Sequence, residues 1–342
     1  MPPKTIYATF HGGKPTGKDS TPIWYVESYT QVNGTWQPNS NALALPAPSG
    51  SDGYQLRDIR FAADGHFYVV NSLQTSSVVW RIPQTGVDPN KGLEVFTSIA
   101  TIAGLDHPFA IVFDSSLHAC FISAQDTNVV FRAFGPQHSK SGAAMPVNAA
   151  IPGSNFLAGT FVASELGIAA PGSSAKPPDV KGSEGGLHFL PKSGPPLSHS
   201  VRGMALVGTT LYVADEAGNE VKTYDVITGE YLGKISDPNN EIDTPVHLLA
   251  SGGKLYISDN DSVLCYDPSA GTLTSLLAGL DSPAGMSFDA EGNFYVASRK
   301  GNSINGYTSN FQPMQNPLIP GLKDNPEFIL CVAHRAARSG IR

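Results

Sequence analysis

Ser282–Ser298, SPAGMSFDAEGNFYVAS, decides the fold. Apolar residues alternate from Ala284 to Phe288 and run continuously from Phe294 to Ala297, on either side of Glu291-Gly292-Asn293. Alternation with period two marks half-buried strands, and the glycine supplies the positive φ that a tight hairpin needs. The stretch therefore reads as strand, turn, strand.

Copies of it recur along the chain. Gln55–Asn71 (QLRDIRFAADGHFYVVN) matches almost position for position, and His107–Ala124 has one extra turn residue. Ser200–Asp215 and Thr244–Asp259 have one fewer. A third strand follows each of several copies, at Ser76–Gly86, Glu220–Gly229 and Ser262–Gly271, and a fourth at Leu93–Gly104, Glu230–Ser236 and Thr272–Gly279. Four antiparallel strands per repeat make a propeller blade.

Between the copies at 107 and 200, Pro146–Ile151 reads as a degenerate inner strand, Gly159–Ser164 (GTFVAS) resembles NFYVAS, and Gly185–Gly194 resembles a third strand. Inner strands then begin near 55, 107, 146, 200, 244, 282 and 325. The expectation is an all-β, seven-bladed propeller, with six blades as the alternative if the 146–194 region is an irregular excursion. Asn325–Ala333 stops after one strand, whereas Lys4–Phe10 and Pro22–Gly34 look like later strands of a blade. The N-terminal strands are expected to pair with the C-terminal one and close the ring, which removes exposed sheet edges. Residues 1–342 read as one propeller domain. Leu166–Ser183 reads as a loop inserted over the channel mouth, and Gln37–Asp52 as a connector reaching the same face.

The pattern Pro, x, Gly, apolar, x, apolar, Asp, x, x, Gly, x, apolar, Tyr, Val, Ala at Pro283–Ala297 resembles the NHL repeat and its YncE-like relatives, with a more distant similarity to the gluconolactonase group. That resemblance implies a propeller and leaves activity open among scaffolds, ligand binders, lactonases and lyases. The gluconolactonase group holds a divalent metal with a Glu opening the first inner strand in an EGPxW-like context. No such context occurs here, so no metal site is carried over.

Composition narrows the partners. The net charge is −7 and no basic run exists, which argues against nucleic acid. No apolar run has the length of a membrane helix, and the start MPPKTIYATF lacks a signal-peptide pattern, so a soluble, cytoplasmic protein is expected. The three cysteines show no CxxC spacing and read as buried thiols. There is no HExxH, GxSxG, Walker or dinucleotide motif, and no cofactor is expected.

The repeat also locates a site. The start of each inner strand and the end of each second strand share one mouth of the channel. At the Ala284 position stand Arg57, Phe109, Val147, Arg202, Val246 and Glu327. At the Gly285 position stand Asp58, Ala110, Asn148, Gly203, His247 and Phe328. The charges here exceed what the plain repeat needs. One reading is a self-satisfied ring of Arg57–Glu327 and Arg202–Asp58 ion pairs. The other is a pocket for a small anionic or carbonyl-bearing molecule. In that reading His247 exchanges protons, oriented by Asp58 or Glu327. Arg57, Arg202, Phe109, Phe328, Asn148, His11, Asn71 and Arg299 bind the ligand. The expected function is a non-redox, metal-independent lyase, cyclase or hydrolase. A non-catalytic small-molecule or protein-binding propeller is the first alternative, and a metal-dependent lactonase the second.

Overall fold

The computed structural model describes residues 4–12, 25–46, 54–72, 77–84, 93–149, 157–163 and 201–333. These form six small antiparallel sheets and no helix. Blade 1 combines Pro326–Ala333, Lys4–Phe10, Tyr25–Val32 and Thr35–Ala44, in that order from the axis outward. Blades 2 to 6 begin with inner strands Leu56–Phe61, Pro108–Phe113, Val201–Val207, His247–Ser251 and Pro283–Phe288. Inner strands of successive blades touch all the way round, and that of blade 6 touches that of blade 1. The molecule is thus a six-bladed propeller closed by pairing of the two terminal strands, with Ile6 opposite Cys331 and Ala8 opposite Ile329.

Six blades, not seven, follow from one strand. Thr160–Val162 pairs with Val129–Phe134 and is the outer, fourth strand of blade 3, not the second strand of an extra blade. Blade 4 sits directly against blade 3. The Val201 N–H donates to Asn128 Oδ1 at 3.0 Å, and Ser123 Oγ donates to Arg202 O at 2.8 Å. No space for an intervening sheet remains. Within the expected inner strand Pro146–Ile151, the Asn148 N–H donates to Thr160 O at 2.8 Å, so residues 146–149 line blade 3 and do not start a new blade, while 150 and 151 lie outside the described residues. Gly185–Gly194 and Leu166–Ser183 lie outside the described residues. The expected connector at 37–52 is partly a strand. Thr35–Ala44 is the outer strand of blade 1, with Pro38 opposite Tyr29. An outermost strand has a free edge, which is where a proline is tolerated.

The repeat is legible in the packing. The tyrosine of a second strand lies against the phenylalanine ending the next inner strand. Tyr68 and Phe113 are 4.5 Å apart, as are Tyr256 and Phe288 at 4.9 Å. Each blade's apolar residues therefore complete a core shared with its neighbour. The Asp after that phenylalanine caps the hairpin. Asp289 Oδ1 accepts from the Glu291 and Asn293 N–H groups. Such Asx turns satisfy backbone donors that a tight turn leaves unpaired.

Candidate functional site

The site arises from an irregularity that recurs around the ring. In five blades the pairing of inner and second strand slips at the second and third inner residues. These are Arg57-Asp58, Phe109-Ala110, Arg202-Gly203, Ala284-Gly285 and Glu327-Phe328. A bulge sets two residues opposite one and re-aims their side chains. Blade 5 places Val246-His247 at the equivalent point, where both Val246 N and the His247 backbone contact Ser258.

Side-chain hydroxyls from three second strands satisfy these bulges. Thr9, Ser123 and Ser258 accept from the N–H groups of Phe328, Ala110 and His247 at 3.0, 3.0 and 3.1 Å. Thr9 and Ser123 also donate to the next blade, to the carbonyls of Arg57 and Arg202. Where no hydroxyl stands, backbones approach directly. A Cβ on Gly285 would lie 2.4 Å from Phe328 Cα, and one on Gly203 would lie 2.7 Å from Val246 O. Glycine is required there by contact with the neighbouring inner strand.

The first bulge residues, in ring order, are Glu327, Arg57, Phe109, Arg202, Val246 and Ala284. Three are charged and three apolar, and of the apolar ones Phe109 and Ala284 are buried. Glu327 is 1% exposed and gathers three basic groups on Oε1. They are His11 Nδ1 at 2.5 Å, Arg299 Nη2 at 3.0 Å and Arg57 Nη1 at 3.5 Å. Burial alone would raise the Glu327 carboxyl, but Arg57, Arg299 and His11 outweigh it and hold it down to about 2. Its Oε2 makes no hydrogen bond within the described protein. Arg57 is fully enclosed, and burial, aided by Arg202 and Arg299, lowers it to about 10. Its Nη1 donates to His11 O at 2.9 Å, which fixes the His11 backbone. The His11 side chain is 42% exposed, and those of Arg299 and Arg202 are 29% and 21% exposed, so these three present polar atoms to solvent at the rim.

Beneath the charges lies a floor of rings. Phe328 of blade 1 meets Phe109 of blade 3 at 5.4 Å and His247 of blade 5 at 4.6 Å. These three blades are not neighbours, so the rings meet across the axis and close the channel under the mouth. Arg202 lies 5.4 Å over the Phe109 ring.

The structure separates residues the sequence groups together. Arg57, Arg202, Phe109, His11, Arg299 and Glu327 meet at the mouth, with Phe328 below. Asp58 and His247 lie deeper and are bonded to neighbouring inner strands. Asp58 Oδ2 accepts from Ile111 N at 3.0 Å and from Arg60 Nε at 2.9 Å. His247 Nδ1 accepts from Met286 N at 3.0 Å. Burial, with Arg60 nearby, pushes His247 well below the usual histidine range, so the ring is neutral with its proton on Nε2. That nitrogen is 3.4 Å from Arg60 Nη2. The expected Arg202–Asp58 pair does not form. Arg202 instead binds Glu216, with Nε donating to Oε2 at 2.8 Å, and Asp58 pairs with Arg60. Asn71 is buried and its Oδ1 accepts from Gln55 N at 3.0 Å. Asn148 is away from the mouth, donating to Phe161 O and Gly229 O at 2.8 Å each between blades 3 and 4.

Three further residues contribute. Arg60 follows Asp58 by two, so the strand period puts it on the same face. Glu216 follows the end of a second strand, among polar residues that also read as turn formers. His107 precedes an inner strand and places Nε2 3.4 Å from Arg57 Nη2. Among the described residues no three His, Cys, Asp or Glu side chains converge to hold a metal ion.

No family model matches the chain, and no curated protein matches it by sequence. Solved structures do. A nidogen/laminin complex aligns over 97% of this chain and 98% of that chain, at 13% identity and TM-score 0.61. A Lactobacillus plantarum protein aligns over 92% and 81%, at 15% identity and TM-score 0.51. Virginiamycin B lyase from Staphylococcus aureus aligns over 92% and 90%, at 11% identity and TM-score 0.49. At these identities the likeness is one of fold alone.

Proposed function

We propose that this propeller is a non-redox enzyme that binds a small anionic or carbonyl-bearing metabolite at the mouth and moves a proton with His11 held on Glu327. The observation that carries the reading is the pairing of a buried, ionised carboxylate with a histidine that is 42% exposed. With Nδ1–H donating to Glu327, the basic lone pair belongs to Nε2. A fixed carboxylate of this kind sets the tautomer and steadies the imidazolium once a proton is taken. Arg299 and Arg202 supply charge-assisted hydrogen bonds to a carboxylate or a developing oxyanion. Val246, half-buried, offers the ligand body an apolar contact. Chemistry of this type fits elimination, cyclisation or hydrolysis.

The test begins with a thermal-shift screen of carboxylates, lactones and other carbonyl compounds against the full chain. Hits are then assayed for turnover. His11→Gln is expected to keep binding within a few-fold and to lose about 100-fold or more in kcat. Arg299→Ala is expected to weaken binding. Turnover undiminished in His11→Gln sinks the proposal.

A second reading, a non-catalytic binding propeller, is favoured by Asp58 and His247, which bond to inter-blade backbone groups and leave the mouth with fewer reactive side chains. A ligand that binds through Arg299 and is released unchanged would establish it.

A further inference from the structure

Blade 6 has three strands where the others have four, and the chain beyond Tyr307 runs irregularly along its edge, bonded at Ile304 to Leu318 and Ile319. The missing strand leaves a cleft against blade 1 of about 580 Å³, a size that suits a small ligand. Its walls include Tyr25, Tyr29, Trp36 and Leu318. Trp36 is braced edge-on against Tyr295 at 6.0 Å. At its base lies Glu27, only 8% exposed, accepting from the Tyr29 hydroxyl.

A carboxylate buried among aromatic rings calls for a cation. The one it has among the described residues is held from solvent. Lys323 sits on the irregular segment with its side chain 64% exposed. Its Nζ reaches Glu27 Oε1 at 3.2 Å and the Tyr25 hydroxyl at 2.8 Å, and lies 5.5 Å from the Tyr25 ring centre. Holding a long solvated side chain in one pose costs rotamer entropy, and exposed ion pairs return little.

We infer that this cleft is a binding site for a small organic amine with an apolar body, and that Lys323 is a tethered competitor for it. The ligand's ammonium takes the place of Nζ, between the Glu27 carboxylate and the Tyr25 face, where cation–π attraction adds to the ion pair. Its body covers Trp36 and Leu318, both only half-buried.

The competitor gives the test an unusual sign. Cyclohexylmethylamine and cyclohexylmethanol, the same body with and without charge, are titrated calorimetrically into the full chain and its variants. The amine is expected to bind the native protein about tenfold or more tighter than the alcohol. Lys323→Ala should tighten the amine several-fold and leave the alcohol unchanged. Glu27→Gln should weaken the amine about tenfold or more. Equal affinity for the two compounds, or an amine affinity that Lys323→Ala lowers or leaves unchanged, overturns the inference, as does silence of both compounds with native protein and Lys323→Ala. If Glu27→Gln does not fold, Lys323→Ala decides alone, because that side chain is mostly in solvent.

Discussion

His247 Nδ1 accepts the backbone N–H of Met286 at 3.0 Å, so the histidine of blade 5 fastens the inner strand of blade 6. Replacing it by alanine leaves a buried donor unmet. His247→Ala should cost about 1–3 kcal/mol from that group, with a cavity term added. His247→Asn offers an acceptor at nearly the same place and should restore part of the loss. Urea denaturation of the two variants checks this, since a purely catalytic role would not order them.

The same ring sets a pH dependence. Its folded pKa lies below 6.5, so the unfolded chain binds the proton more readily. Stability from this group is complete above 6.5 and falls as pH drops below it, by about 1.4 kcal/mol per pH unit. Denaturation midpoints between pH 7 and 5 should show this slope, and His247→Asn should lack it.

Glu327 acts in a more acidic window. Its carboxyl is depressed from 4.5 to about 2, so its contribution is complete above 4.5 and is lost as pH falls toward 2. Glu327→Gln removes that dependence and strands the enclosed Arg57. The expected destabilisation at neutral pH is about 3–5 kcal/mol, measured by chemical denaturation against the native chain.

Gly285 tests the closeness of the ring. A Cβ there meets the Phe328 backbone at 2.4 Å, whereas Gly253 has no atom within 4 Å. Gly285→Ala must push two inner strands apart and should cost about 1–3 kcal/mol or more. Gly253→Ala carries only the strain of its positive φ, and the comparison of their melting temperatures separates crowding from conformation.

Much of this architecture is written in Ser282–Ser298. Aligning the repeats on it puts Arg57, Arg202 and Glu327 at one position of the ring, and the structure brings Arg57 to 3.5 Å from Glu327. What it missed has a physical cause. GTFVAS at 159–164 has the apolar run of a second strand such as NFYVAS, yet Thr160–Val162 is a fourth, since an apolar run pairs equally well at either edge of a half-built sheet. Ion-pair partners were misassigned for a similar reason. Asp58 and Arg202 share the rim by alignment, but the bulge turns one inward to Arg60 and the other outward to Glu216. His247 was expected to exchange protons, and the backbone donor that occupies its Nδ1 comes from another blade, which no local pattern reveals.

The hydroxyls of Thr9 and Ser123 carry a mechanical consequence. Each hangs from one blade and grips the carbonyl of a mouth arginine on the next, Arg57 and Arg202 respectively. Each arginine's backbone is thereby tied to the preceding blade, so the spacing of these two positive charges is set by the contacts between blades and not by either blade alone.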